Sequence, residues 1–560
     1  MKSKFGLKHI LFISLFIVGV FLRLWQINSV PKELFGDEID VGLQAYSILT
    51  TGKDYLGNRF PVMFHSFSEY RLPYQLYVDV PFIKLFGLGG LGVRMPSVLM
   101  GLLTLIALYF LVKELFDTKL ALISTLFLLF SPWHVNFSRQ ANDAGMILPF
   151  VILGTLFFAK GLRRFNYFLL SVIFFSIGIY TYAIAALFIP VFFIVLFIIY
   201  RGAVIKFGLK RLFIAGIIGI TVLLPYINST FSGKTTKRFS DIQVASHDEI
   251  MQEVVEGRRW SGSFITRVFY NKNRVYFEKV IKNYMSAFST NFLFTRGDSN
   301  MRQAIEGFGQ MYYFDIPLLL LGIFVLLRGL NKKSGESSKF KLIFLWLLFA
   351  PVPSALTRNG GTHASRLTLM LPPLVLLSSL GFVHMANSLK NFKMKLLFTA
   401  FVILAAFNVL YFIHRYFVIW PNISWRFWQY GYKDTLAFVK SVDGNYQKII
   451  FNNTYEPSLP RFLFYYGYDM NQFQKQFKGD VHQVNIIEGL NGFSLGDKYY
   501  FGELKKPIER LAKQGTLVVA SAEKDATNPS IFENSNLDLL KTVNSPDDIP
   551  IFYVYTEISR

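Results

Sequence analysis

The 560-residue chain contains no cysteine. That absence excludes disulfides, thiolate nucleophiles and cysteine-held metals, and it removes redox chemistry as a guide to compartment. Acids are scarce too, with 36 Asp and Glu against 58 Lys and Arg, and they almost vanish from the long apolar runs. Asp315, His384 and His414 sit near the ends of such runs. Ion-coupled transport usually needs acids or histidines within the bilayer, so their near-absence counts against that class.

What the chain has in abundance is apolar surface. It is 52% hydrophobic, with 60 Phe and 29 Tyr, too apolar for a soluble protein of this length. The net charge of +22 comes from short Lys and Arg clusters between apolar runs. Clusters of that kind set membrane orientation and form no groove-sized basic face, so nucleic acid is not an expected partner.

Apolar runs of roughly 17 to 25 residues, enough to span a bilayer, fall near 8–26, 94–112, 119–135, 144–160, 166–182, 184–200, 211–227, 312–328, 340–357, 366–387 and 395–415. This predicts about eleven spans. Lys2, Lys4 and Lys8 precede the first, and no small-residue cleavage site follows it, so "RLWQINSVP" reads as the end of a retained anchor. The stretch "PYQLYVDVPFIKLFG", 73–87, carries Asp79, Pro81 and Lys84. As a helix it would reach only about 22 Å, and it reads as an amphipathic helix in the membrane interface.

Leaving that stretch out of the count puts the N-terminal lysines, Lys113/Lys119, Lys160/Arg163/Arg164 and the basic stretches 201–211, 328–341 and 389–395 together on the cytoplasmic side. Segments 27–93, 131–143, 228–311 and 357–366 then face outward, as does everything after about 416. The expected fold is a polytopic α-helical membrane domain, 1–415, followed by a small external α/β domain, 416–560. In that last part a helical stretch, "YKDTLAFVKSV", alternates with strand-like ones, "KIIFNN", "GTLVVAS" and "IFYVYTE".

Four charged stretches are expected at the outer face. "GDEIDVGLQAYSILTTG" places Asp37, Glu38 and Asp40 just beyond the first span. They would begin a short helix, with Asp37 as its cap, acids in its first turn and Gly52 past its end. "SPWHVNFSRQAND" adds Arg139 and Asp143, the latter also placed to cap a helix starting at Ala144. "TRNGGTHASR" supplies Arg358, His363 and Arg366 around a glycine pair that permits close backbone approach. "TRGDSNMRQ" supplies Arg296, Asp298 and Arg302. Single arginines at a membrane surface commonly hold lipid headgroups, but a group of them makes a phosphate site.

Fixed carboxylates beside fixed guanidinium groups suit attack by an acceptor hydroxyl or amine on a sugar whose leaving group is a lipid-linked phosphate. A carboxylate takes the acceptor's proton as the bond forms, and arginines meet the charge growing on the phosphate. No D-x-D triplet occurs in the outer segments. The chemistry therefore demands no metal, although a divalent cation is compatible with it.

"GDEIDVGLQAYSILTTGKDYLGNRFPV", "SPWHVNFSRQAND", "FTRGDSNMRQAIEGFGQMYYFDIPLLLLG" and "HASRLTLMLPPLVLLSSLG" occur in one order and on one side. Over residues 8–390 the sequence resembles the GT-C integral-membrane glycosyltransferases, particularly the bacterial branch of glycosyltransferase family 39, akin to protein O-mannosyltransferases and the lipid A aminoarabinose transferase. The resemblance implies an inverting transfer from a polyprenyl-phosphate sugar to a lipid, glycan or protein acceptor on the extracytoplasmic side of the cell membrane. It implies Asp37 as base or acceptor-orienting acid with Glu38 beside it, and Asp143 as a second positioning acid. Arg366, His363, Arg302, Arg139, Arg358 and Asp298 are the expected donor-side residues. Gln303 stands where relatives often carry a histidine after the arginine, and Arg366-Leu367 stands where they carry Arg-Tyr. The competing classes are a lipid-linked saccharide polymerase and a flippase or transporter.

Overall fold

The computed structural model describes residues 7–66, 70–233, 243–477, 483–526 and 535–558. Lys2 and Lys4 of the N-terminal flank, and residues 234–242 of the third outer segment, lie outside the described residues. The chain divides into two compact units. Unit one holds 1–25, 72–74 and 97–417; unit two holds 26–71, 75–96 and 418–560. Apart from 72–74, residues 26–96 thus cluster with the C-terminal part and not with the helices that flank them in sequence.

All eleven apolar runs fall on helices. In chain order the helices begin with α1 (Leu7–Leu24), α2 (Gly36–Thr51), α3 (Pro73–Phe86), α4 (Gly90–Leu115), α5 (Thr118–Phe130), α6 (Pro132–Phe137), α7 (Asp143–Gly161), α8 (Phe165–Ile179), α9 (Ala185–Val204) and α10 (Leu209–Phe231), of which α2 and α3 carry no such run. Among the described residues, seven helices are long and apolar enough to cross a membrane. These are Gly90–Leu115, Asp143–Gly161, Ala185–Phe207, Leu209–Phe231, Gly335–Ala355, Ala364–Asn387 and Phe392–Ile423. The run 119–135 is not one continuous helix. Pro132 opens a new helix there, and Ser131 caps it by accepting from the His134 N–H, so α5 has only 13 residues. The 14-residue α3 is too short to span, as its composition indicated, and it exposes Leu85 and Phe86 near its end.

Unit one is held by a continuous apolar core that includes Trp133, Ile147, Phe188, Phe192 and Trp346. Helices Asp315–Leu330 and Leu371–Asn387 meet through two glycines. A Cβ on Gly322 would lie 2.0 Å from the Leu377 carbonyl oxygen, and one on Gly381 would lie 1.9 Å from that of Leu318. Only small residues allow backbones so close, which is how apolar helices gain packing where water supplies no driving force.

Unit two contains α2, a two-stranded pair of β1 (Phe64–His65) and β2 (Tyr70–Arg71), and a seven-stranded sheet. The sheet strands are β3 (Lys448–Asn452), β4 (Gln483–Ile487), β5 (Leu490–Leu495), β6 (Tyr499–Leu504), β7 (Thr516–Ser521), β8 (Leu537–Asn544) and β9 (Pro550–Glu557). Their order is β4-β5-β6-β3-β7-β9-β8, with β6, β3 and β7 parallel and the other pairs antiparallel. The expected α/β domain is there: "YKDTLAFVKSV" is the helix Tyr432–Val442, and the three strand-like stretches are β3, β7 and β9. Interior strand β7 is buried along its whole length, as a strand covered on both faces must be.

Candidate active site

In unit two, α2 presents the first acids. Its cap is Phe35, not Asp37, because Glu38 reaches back to accept from the Phe35 N–H at 3.2 Å and fixes the helix start one residue ahead of Gly36. Gly52 ends the helix in the left-handed conformation, φ +70°, where a side chain would be strained. The three acids then meet different fates. Glu38 is buried and accepts from Arg94 Nε and Nη2, each at 2.9 Å. Asp40 is buried against Arg71 Nε at 2.8 Å and the Tyr55 hydroxyl at 3.0 Å. Burial pushes the Asp40 carboxyl above its ordinary range, and the nearby Arg71 opposes that. Asp37 takes the other nitrogen of the same guanidinium, yet 53% of its side chain stays exposed.

Arg71 is the residue the sequence did not single out. It sits at the end of β2, opposite Phe64, and its own side chain is 8% exposed. The strand β1 is fixed to α2 by Gln44, whose Nε2 donates to the His65 carbonyl at 3.1 Å. The only hint in the sequence is that Arg71 and Arg59 are the two arginines of segment 27–93. Behind it, Arg94 also donates to the carbonyls of Ile27, Pro31 and Glu33 at 2.7–3.1 Å. The start of α2 is tied in addition to Gln429, which accepts from the Gly36 N–H at 3.0 Å and from Arg461. Glu33 accepts from the Gly431 N–H at 3.0 Å.

In unit one, Asp298, Arg302, His363 and Arg366 come together. Asp298 is a clamp: its two oxygens accept from the Asn300 N–H at 2.9 Å and the Ala364 N–H at 2.8 Å, joining the segments that carry Arg302 and Arg366. Its carboxyl is pushed up by burial. His363 Nδ1 lies 4.0 Å from Asp298. Burial and the charges of Arg366 and Arg302 push the imidazole down to about 3, so it is neutral at physiological pH. Arg366 Nη1 donates to Thr357 Oγ1 and to the Arg358 carbonyl, both at 2.8 Å. The Arg302 carbonyl accepts from Asn136 at 3.0 Å and Gln140 at 2.8 Å, which joins its segment to 131–143.

The other expected residues go elsewhere. Arg139 is fully buried, donates to the Leu22 carbonyl at 2.6 Å and the Trp25 carbonyl at 2.7 Å, and lies over Phe417. Arg358 turns to an exposed pair with Glu249 at 2.7 Å, and Arg296 is exposed. Asp143 is the first residue of α7 and half-buried; Asn142 is the cap, accepting from the Ala144 N–H at 2.9 Å. The glycine pair does admit close backbone: a Cβ on Gly360 would lie 1.8 Å from the Ser354 carbonyl oxygen. Among the described residues, no three His, Asp or Glu side chains gather as metal ligands.

The family model described as dolichyl-phosphate-mannose-protein mannosyltransferase matches residues 73–228, from α3 into α10. That segment contains Arg139 and Asp143 but not Asp37. The structure is similar to that of ArnT from Cupriavidus metallidurans bound to undecaprenyl phosphate, at 14% identity over 97% of each chain, TM-score 0.55. The chain has the fold of the GT-C membrane glycosyltransferases. The apo form of the same ArnT aligns over 97% of each chain at 12% identity, TM-score 0.51. Another structural match is the oligosaccharyltransferase AglB from Archaeoglobus fulgidus in complex with an inhibitory peptide and a dolichol-phosphate. There the identity is 14%, over 78% of this chain and 58% of that one, TM-score 0.46. No curated protein matches the sequence.

Proposed function

We propose that this GT-C chain transfers a sugar from a polyprenyl-phosphate donor to an acceptor hydroxyl or amine, on the extracytoplasmic side of the cell membrane and with inversion. The observation that carries the reading is the sorting of the acids on α2. Of the three, Asp37 alone is open to solvent, while Arg71 holds its orientation. A base needs that combination: access to the acceptor proton and a fixed direction. Glu38 serves as a positioning residue, because its two oxygens are occupied by Arg94.

On the donor side, Arg302 and Arg366 offer guanidinium charge to a leaving phosphate. Neutral His363 offers a ring that can donate a hydrogen bond without adding repulsion. Asp298 holds these residues in place, Asp143 orients acceptor or donor, and Arg139 fixes the end of α1 by closing its last carbonyls. Arg358 stands at the rim. The apolar end of α3 lies in the membrane surface and guides the lipid tail.

The test is transfer of radiolabelled sugar in membranes loaded with a panel of polyprenyl-phosphate monosaccharides, comparing wild type with Asp37→Asn at matched expression. Transfer by wild type alone supports the base. Equal transfer by both removes Asp37 from the chemistry, and no transfer of any sugar by either turns attention to polymerase and transport.

A further inference from the structure

The sheet of unit two has a cleft of its own. Parallel strand β3 lies between β6 and β7. The chain leaving β3 returns through β4 and β5 to β6 on one side, whereas the chain leaving β7 continues to β8 and β9 on the other. Connections that part in this way leave a crevice at the carboxyl ends of the two strands, the usual place for a ligand in an open α/β sheet.

A cavity of about 340 Å³ occupies that position. Its walls come from Tyr455 on the loop leaving β3, the end of β7, the amino end of β9, and Trp425-Arg426. The two strand ends are fastened together. Asp525 accepts from the Ser521 N–H at 2.8 Å, from Thr454 Oγ1 at 3.1 Å and from Asn452, while Lys524 donates to the Thr454 carbonyl at 3.0 Å. A cleft braced in this way is formed before any ligand arrives, which lowers the ordering cost of binding.

The lining is specific in kind. Trp425, Tyr455 and Tyr553 supply aromatic surface, and the paired side chains of Arg426 and Glu523 supply planar donors and acceptors. Tyr455 is held by Tyr432 and Phe552, with ring centroids 5.9 and 5.6 Å away. Its hydroxyl is buried and has no hydrogen-bond partner among the described residues. The loop leaving β3, "NTYEP", has no glycine, unlike the loops that cradle nucleotide phosphates.

We propose that this cleft binds one sugar ring of a glycan, its C–H face against Trp425, Tyr455 or Tyr553 and its hydroxyls on Arg426 and Glu523. Aromatic faces beside planar polar groups match the two-sided character of a pyranose or furanose. The inference goes beyond the transfer reading, since binding here requires neither a lipid donor nor the acids of α2.

The test is calorimetric titration of the full-length protein in detergent, with no lipid donor, against the methyl glycosides of glucose, mannose, galactose, arabinose and N-acetylglucosamine, with UDP as a further probe. We expect at least one glycoside to bind with millimolar or better affinity, and Trp425→Ala and Glu523→Gln each to raise its Kd about tenfold. Glu523 is exposed, so its variant keeps the test sound if the tryptophan variant misfolds. Absence of binding by every glycoside, affinity unchanged in the Glu523 variant, or tighter binding of UDP than of any glycoside would each overturn the proposal. Because no donor is present, failure of sugar transfer and failure of this cleft are separate results.

Discussion

Arg94 grips Glu38 with two nitrogens, Nε on Oε1 and Nη2 on Oε2, and the two side chains are only 1% and 3% exposed. A buried pair of this geometry returns little net stability when intact, but losing one partner strands the other's charge. Glu38→Ala should therefore lower stability by about 3–5 kcal/mol, while Glu38→Gln, which keeps an acceptor for Arg94, should cost less. Thermal unfolding in detergent checks this. A Glu38→Ala protein that melts with wild type would mean that the pair does not hold the head of α2.

Arg71 is shared between an exposed acid and a buried one. Lysine at this position keeps the charge but cannot address Asp37 and Asp40 with one rigid fork. Arg71→Lys is expected to slow transfer by about 10²-fold, the lower end of what a positioned base contributes, with donor KM moving less. Steady-state kinetics on the active donor decide it, and unchanged kcat would show that Asp37 needs no such support.

How far the sequence reaches is visible in these residues. That the long apolar runs are helical and that the C-terminal part builds an α/β sheet follow from run length and alternation, because burial in an apolar layer or in a sheet imposes those patterns on every residue. Roles within a cluster do not follow. Asp37, Glu38 and Asp40 look alike in sequence, and only the distant partners Arg94 and Arg71, 56 and 34 positions from the acids they hold, separate the exposed acid from the buried ones. Arg139 shows the same limit in reverse: an arginine next to a loop acid has the look of a phosphate ligand, yet the open carbonyls at the end of α1 claim it. Neither Asp37 nor Asp143 caps its helix, and the reason is local: Glu38 fixes the start of α2 at Phe35, and Asn142 outcompetes Asp143.

The glycines between Asp315–Leu330 and Leu371–Asn387 leave no space for a methyl group. Gly381→Ala places a carbon 1.9 Å from the Leu318 carbonyl oxygen, so the helices must separate, at a cost of about 1–3 kcal/mol. Gly322→Ala should behave alike. The double variant should cost less than the two together, because once the helices part the second methyl finds room. Melting temperatures of the three variants test the coupling.

Charge on the leaving phosphate is met by guanidinium groups in this reading. Transfer is expected to persist in excess EDTA. Activity lost to the chelator and restored by magnesium or manganese would place a divalent cation in the reaction and reduce the share assigned to Arg302 and Arg366.

Glu33 links stability to pH. Burial pushes its carboxyl up to about 8, although the Gly431 N–H opposes that shift. An unfolded chain releases this proton near the ordinary glutamate value, about 4.3, whereas the folded chain keeps it until about 8. Between those values the folded state binds the extra proton, so stability falls as pH rises across the window and levels off above it. Glu33→Gln cannot ionise and still accepts from Gly431, so it should remove this part of the slope and melt above wild type on the alkaline side. Unfolding curves of the two proteins at several pH values from acid to alkaline give the comparison, and parallel curves would mean that Glu33 is already ionised in the folded protein.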